Sequence, residues 1–241
     1  MLSSSRRITL TFGAATHVGS VRHLNEDSFC ARPDLGLWLV ADGMGGAASG
    51  EVASALAVAE IEAGIARGQD LVPAIQGAHE AIVAAPAKGR GTPGMGTTVV
   101  ALRVQQDSYE VAWVGDSRAY LFRADALTQL TRDHSLVQER VDRGEITRDE
   151  ARSHPQRNII TQVLGSSGVA PPEPDRVGGR VRPGDLFLLC SDGLNGEIDD
   201  DLMNRMLSRG PDPRQSAQKL VDAALAAGGN DNITAVVVAA A

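Results

Sequence analysis

Apolar and polar positions alternate over Ile8-Thr9-Leu10-Thr11-Phe12, the period-two pattern of a half-buried strand. Leu37-Trp38-Leu39-Val40-Ala41 is instead a continuous apolar run with the length and bulk of a buried strand. Between them lies a polar loop, residues 18–27, carrying Arg22, Asn25, Glu26 and Asp27. The period then changes. Residues 51–66 set Val58, Ile61 and Ile65 on one helical face, and Leu71, Ile75, Ala78 and Ile82 continue at helical spacing in a second helix. After a loop over 86–96, strands are predicted at 97–104, 109–114 and 119–122, and Tyr109, Val111 and Trp113 share a face. The short links between these strands predict an antiparallel meander. Residues 133–152 are polar and helical in pattern, with Thr147-Arg148-Asp149-Glu150 in the form of a capping box. The turn Arg182-Pro183-Gly184-Asp185 leads into the apolar strand 186–190. Leu202, Met203, Met206 and Leu207 mark a helix, a second spans about 215–226, and the last strand covers 233–238. Helices and strands come in blocks rather than in strict alternation. That order predicts an α+β fold of antiparallel sheets covered by helices, in one domain.

The run at 37–41 ends in Asp42-Gly43-Met44-Gly45-Gly46. A carboxylate where a buried strand stops is costly unless it is paired or bound to a cation. Three readings fit this stretch alone: a capping aspartate in a strand-to-helix turn, a metal ligand with the Gly43 carbonyl beside it, or a dinucleotide fingerprint, Gly43-x-Gly45-x-x-Ala48. Against the nucleotide, Asp42 would face a pyrophosphate with its own charge. The acid expected some 20 residues on, at the end of a second strand, is also missing, because Glu60 and Glu62 lie inside the helical pattern. Gly89-x-Gly91-x-x-Gly94 has the same spacing but follows a Pro-bearing coil, which is the wrong context.

Composition narrows the classes. A chain of 241 residues can bury a sizeable core. Its net charge of -7 argues against a nucleic-acid partner. No apolar run reaches membrane-spanning length and residues 1–7 carry no apolar signal region, so neither an anchor nor a leader is expected. Cys30 and Cys190 lie in or beside apolar strands, as buried thiols of a reducing compartment do.

The Asp42 pattern recurs. Leu186 to Cys190 is again an apolar strand, followed by Ser191-Asp192-Gly193; Asp231 precedes the last strand; Asp116 sits in Val114-Gly115-Asp116-Ser117; Asp27 follows Glu26. One aspartate at a strand end is ordinary turn chemistry, whereas several at separate buried strands predict that the strand ends share a pocket. Their mutual repulsion calls for divalent cations, and an all-oxygen donor set favours Mg²⁺ or Mn²⁺ over Zn²⁺. His17, His23, His79, His134 and His154 are scattered and form no His-x-x-x-His pair. Cysteine-phosphatase, Asp-x-Asp-x-Thr and P-loop signatures are absent from the sequence.

Arg22-x-x-Asn25-Glu26-Asp27, Ala41-Asp42-Gly43-Met44-Gly45-Gly46, Gly96-Thr97-Thr98, Val114-Gly115-Asp116-Ser117-Arg118, Asp133-His134-Ser135, Cys190-Ser191-Asp192-Gly193-Leu194 and Asp231-Asn232-Ile233-Thr234 together resemble the metal-dependent PPM/PP2C protein serine/threonine phosphatases in their bacterial form. Each motif alone is weak; seven in family order over nearly the whole chain are specific. The resemblance implies a four-layer α-β-β-α sandwich, two antiparallel sheets flanked by helices. It implies hydrolysis of phosphoserine and phosphothreonine on proteins by two, and in bacterial members three, Mn²⁺ or Mg²⁺ ions, with a metal-bridging water as nucleophile. Asp42 would bridge two metals with the Gly43 carbonyl on one, Asp192 and Asp231 would hold the other, and Asp27 and Glu26 would act from the first loop. Arg22 would bind the substrate phosphate as a fork. Asp116 matches a third-metal position. Residues from about 133 to 160, with His134, Ser135 and His154, match a flap beside the site. The partners it implies are phosphoproteins and a Hanks-type Ser/Thr kinase, with the enzyme a cytoplasmic monomer. One departure stands out: relatives carry a histidine at the position of Met44 or of Ala47, and this chain has neither.

Overall fold

The apolar run at 37–41 is fully buried in the computed structural model, which describes residues 8–45, 49–168, 170–209 and 212–241. It belongs to a strand that continues through Asp42 to Met44. In chain order the elements are β1 (Leu10–His17), β2 (Asp27–Arg32), β3 (Leu37–Met44), α1 (Gly50–Ala66), α2 (Leu71–Ala84), β4 (Gly96–Thr97), β5 (Val99–Gln105), β6 (Ser108–Val114), β7 (Arg118–Arg123) and β8 (Ala126–Gln129). Then follow α3 (Leu136–Asp142), α4 (Arg148–Ser153), β9 (Asp175–Arg180), β10 (Leu186–Cys190), α5 (Asp192–Asn195), α6 (Asp200–Ser208), α7 (Pro213–Ala227) and β11 (Ile233–Ala240).

One sheet has the order β1-β11-β10-β7-β8, the other β2-β3-β5-β6-β9 with the short β4 paired to β3. Every pairing is antiparallel. The period-two alternation divides the apolar side chains between two faces of each sheet. Trp38, Val40, Val100, Leu102, Val111 and Trp113 face Leu121, Phe187, Leu189, Val236 and Val238 across the inter-sheet core. The opposite faces carry helices: α1 and α2 bury Leu56, Ile61, Leu71 and Ile75 against Leu37, Leu39 and Ala101. Likewise α6 and α7 bury Met203, Leu207, Leu220 and Val221 against Leu188, Ala235 and Val237. The four-layer sandwich is therefore present.

Several local expectations need correction. The meander stops at β6: β5 and β6 pair, but Gly115-Asp116-Ser117 carries the chain into the other sheet, where β7 pairs with β10 and β8. Gly115 makes the crossing possible, with φ +106° and a Cβ position only 2.6 Å from Thr98 Cβ. The strand expected at 8–12 runs instead from Leu10 to His17, the length over which β11 offers a partner. The helical pattern at 133–152 resolves into two short helices, α3 and α4; the Thr147–Glu150 capping box starts the second. The dinucleotide reading fails on topology, since β3 lies between antiparallel neighbours and α1 leads into a second helix. Cys30 and Cys190 are free and buried, in different sheets, and burial pushes both thiols up to about 12.

Candidate metal centre

Antiparallel pairing explains why the acidic turns meet. Where β3 and β10 end, their partners β2 and β11 begin, so residues bordering those strand ends fall at one end of the sandwich. Asp27 stands directly opposite Asp42 in the β2–β3 register. Its Oδ2 accepts from Ser191 Oγ at 2.7 Å, directly after β10, and from Thr234 Oγ1 in β11 at 2.6 Å, while its Oδ1 is buried with no partner. Asp27 thus ties the two sheets together and leaves one oxygen free.

The Asp42 backbone is gripped from both directions. Its N–H donates to Thr98 Oγ1 at 3.1 Å, and its carbonyl accepts from Thr98 N–H and Thr97 Oγ1, both at 2.9 Å. Thr98 Oγ1 and Ser117 Oγ lie 2.7 Å apart, which fastens the Asp116 turn to the same strand. Asp116 is 6% exposed, and its Oδ1 is also buried without a partner. Asp192 opens α5, directly after β10, with Ser191 at the cap position. Asp231 is held by Arg22: Nε donates to Oδ1 at 2.9 Å and an Nη to Oδ2 at 2.8 Å. Glu26 is engaged elsewhere, its Oε1 accepting from the Gly50 N–H at the start of α1.

The electrostatics follow from this crowding. Burial pushes the Asp27 carboxyl up to about 7, with Asp192 and Asp231 adding to the rise and the Thr234 and Ser191 hydroxyls opposing it. Burial, then the charges of Asp27, Asp192, Asp116 and Asp231, hold Asp42 well above the ordinary carboxylate range. Asp116 is held well above it by burial and by Asp192, and Asp192 is raised by burial and by Asp231. Among the described residues no cation neutralises the group as a whole; Arg118 is committed to Asp133 through three contacts of 2.7–3.1 Å.

This donor set fits divalent cations. Two carboxylate oxygens, on Asp27 and Asp116, are buried with nothing to accept from, a costly state that a cation or the water it carries relieves. Among the described residues no three His, Cys, Asp or Glu side chains close on a single point. An all-oxygen donor set of this kind suits Mg²⁺ or Mn²⁺ bound through one or two carboxylates and several waters.

Other residues singled out in the sequence lie at the edge of this cluster. His134 Nδ1 accepts from the Gly115 N–H at 3.1 Å and its Nε2 lies 3.2 Å from Asp175 Oδ2. Ser135 caps α3. His154 sits further out, against Arg140. Met44 is exposed; Ala47 and Ala48 lie outside the described residues. A cavity of about 890 Å³ runs from Asp116 and Asp192 between the α3–α4 segment and α6, with Arg152, Arg157 and Asp200 in its walls.

The sequence motifs also hold residues whose work only the structure makes visible. Asn232 accepts from the Glu26 N–H at 2.7 Å and donates to the carbonyls of Val18 and Leu24, both at 2.9 Å, so it shapes the loop that presents Arg22. Ser191 and Thr234 position Asp27. A buried polar residue beside each acidic turn was the available signal.

Known proteins resemble this chain in sequence and in fold. The family model for protein phosphatase 2C matches residues 17–235. The serine/threonine protein phosphatase PstP of Mycobacterium tuberculosis is 40% identical over 95% of this chain. The chain spans only 45% of that relative's length. The serine/threonine phosphatase stp of Listeria innocua is 36% identical over 92% of this chain and 93% of its own. The crystal structure of the PstP catalytic domain in complex with two manganese ions superposes with a TM-score of 0.85 at 37% identity, covering 97% of this chain and 99% of that one.

Proposed function

Since the chain belongs to the protein phosphatase 2C family, we propose that it hydrolyses phosphoserine and phosphothreonine esters on proteins. The observation that carries this reading is the convergence of Asp27, Asp42, Asp116, Asp192 and Asp231 at one end of the sandwich, with two buried oxygens left free. In the reaction a water oxygen bonds to phosphorus, the bond from phosphorus to the serine or threonine oxygen breaks, and that oxygen takes up a proton. Bound Mn²⁺ or Mg²⁺ would supply the Lewis acid that activates the water and offsets charge on the phosphoryl oxygens.

Asp42 and the Gly43 carbonyl, with Asp192 and Asp231, would hold the cations. Asp27 would orient the water through its free Oδ1, since Oδ2 is already fixed by Ser191 and Thr234. Arg22 would take the substrate phosphate with the same planar fork that it presents to Asp231. Asp116, which lines the cavity, would serve the leaving-group side. The segment from about 133 to 160, carrying α3 and α4, would act as a flap over the bound phosphopeptide. Its substrates would be products of a Hanks-type Ser/Thr kinase.

Hydrolysis of a phosphothreonine peptide with Mn²⁺, abolished by EDTA and restored by Mn²⁺, is the expected result. Tight phosphopeptide binding without phosphate release would overturn it in favour of a pseudo-phosphatase.

A further inference from the structure

The segment proposed as a flap has two feet, and both are fastened in the same way. At the first foot the buried His134 accepts the Gly115 N–H through Nδ1 at 3.1 Å, and the His134 N–H donates to the Gly115 carbonyl at 2.9 Å. At the second, the buried His79 of α2 accepts the Gly165 N–H through Nδ1, again at 3.1 Å. The two glycines have φ +106° and +90°, and neither position admits a Cβ: at Gly165 it would lie 2.5 Å from Ile82 Cγ2 and from the Met95 carbonyl oxygen. Each glycine thus brings a backbone N–H against an imidazole where any side chain would hold it off.

Between the feet the neck is zipped. Leu136 N–H donates to the Ile159 carbonyl at 2.9 Å and Thr161 N–H to the His134 carbonyl at 2.8 Å. Beyond it Leu164 and Thr97 exchange backbone hydrogen bonds of 2.9 and 3.1 Å. Thr97 in turn donates to the Asp42 carbonyl, and Gly115 adjoins Asp116. The flap is thereby joined to the backbone that sets two of the strand-end carboxylates.

We propose that His79 is a positioning residue for phosphoprotein hydrolysis: as a hydrogen-bond acceptor for Gly165 it pins the second foot of the flap, the counterpart of His134 on Gly115. The inference rests on the phosphatase reading given above. Burial lowers the His79 pKa, against a smaller opposing effect of Glu80, which keeps Nδ1 free to accept. An apolar residue of similar size fills the same space between α2 and the flap but leaves the Gly165 N–H unpaired and the foot loose.

The test compares His79→Leu with His79→Asn, whose Oδ1 sits where Nδ1 sits. His79→Leu should raise KM for a phosphothreonine peptide about fivefold, the effect of one lost hydrogen bond. Its kcat on p-nitrophenyl phosphate, too small to reach the flap, should hold. Amide hydrogen exchange over residues 136–164 should accelerate while β3 and β10 stay protected. His79→Asn should restore both. Unchanged flap exchange in a folded His79→Leu overturns the proposal, as do equal losses on both substrates with exchange rising through α2, which would make His79 a plain core residue. If His79→Leu fails to fold, His79→Asn is compared with His79→Gln, whose acceptor lies one bond further out; equal flap exchange in those two also overturns it. A wild-type chain inactive on phosphopeptides would sink the phosphatase reading, whereas the exchange result stands or falls separately.

Discussion

Asp27 and Asp42 face each other directly across the β2–β3 ladder, two carboxylates on paired positions of adjacent strands. Like charges so placed destabilise a sheet, and here burial adds to the repulsion. A fold that keeps such a pair gives up stability for a function that needs the charge. Removing one charge should therefore separate stability from activity. Asp42→Asn preserves shape and should raise the melting temperature of EDTA-treated protein by roughly 2–4 °C, the equivalent of about 1 kcal/mol in a chain of this size. The same change should cut Mn²⁺-dependent turnover by about two orders of magnitude or more, a loss of at least ~2.7 kcal/mol in transition-state stabilisation. Near-wild-type turnover would remove Asp42 from the site.

The same carboxylates set a pH dependence. Asp27 is raised to about 7, and Asp42, Asp116 and Asp192 are raised too; in the unfolded chain an aspartate titrates near ~3.9. Between those values the folded state holds more protons than the unfolded one, so stability falls as pH rises. In EDTA the melting temperature should decline from about pH 4 to about pH 7, and saturating Mn²⁺ should reverse the decline. A melting temperature flat or rising across that window would show that the carboxylates are not forced together.

On the proposed reading Arg22 would bear on phosphate and metal with opposite signs. It now grips Asp231 through two hydrogen bonds, across 209 residues of chain. Arg22→Ala should raise KM for a phosphopeptide by about tenfold, the scale of a charge-assisted contact to phosphate. It should also tighten Mn²⁺ binding measured calorimetrically, because Asp231 loses a competing cation. Weaker Mn²⁺ binding with unchanged KM would mean that Arg22 only holds the loop.

Asp42 and Asp192 are legible in the sequence because each follows an apolar run that has to be buried, and an abrupt acid after such a run needs a reason; Asp27 and Asp231 stand instead where a strand begins. Seven motifs in order then pointed to the family. What the sequence hid depends on tertiary placement. The crossing at Gly115-Asp116-Ser117 looks like any short link, so the pattern alone places β7 in the wrong sheet. β9, Asp-Arg-Val-Gly-Gly-Arg, is mostly exposed and has no alternation to read. β2 and β8 are short edge segments with mixed burial. Arg22 on Asp231 and His79 on Gly165 join residues far apart in the chain, and a lone histidine carries no mark of the N–H it accepts.

Asp116 raises the question of the leaving group. Serine and threonine alkoxides are strong bases and leave only with a proton, whereas p-nitrophenolate leaves readily without one. Met44 offers no proton, and Ala47 cannot offer one from its side chain. Asp116 is buried in the wall of the cavity with Oδ1 unpartnered, fixed by the Ser117–Thr98 contact and by Gly115. On the proposed reading it would hold a proton donor against the departing oxygen. Asp116→Asn should lower kcat on a phosphoserine peptide about 100-fold, within the range of one general-acid contribution, and kcat on p-nitrophenyl phosphate by less than about tenfold. Adding Ala47→His to Asp116→Asn should recover part of the peptide activity, if an imidazole at residue 47 reaches the leaving oxygen. Equal losses on the two substrates, with a lower melting temperature, would instead make Asp116 a residue that only shapes the turn between the sheets.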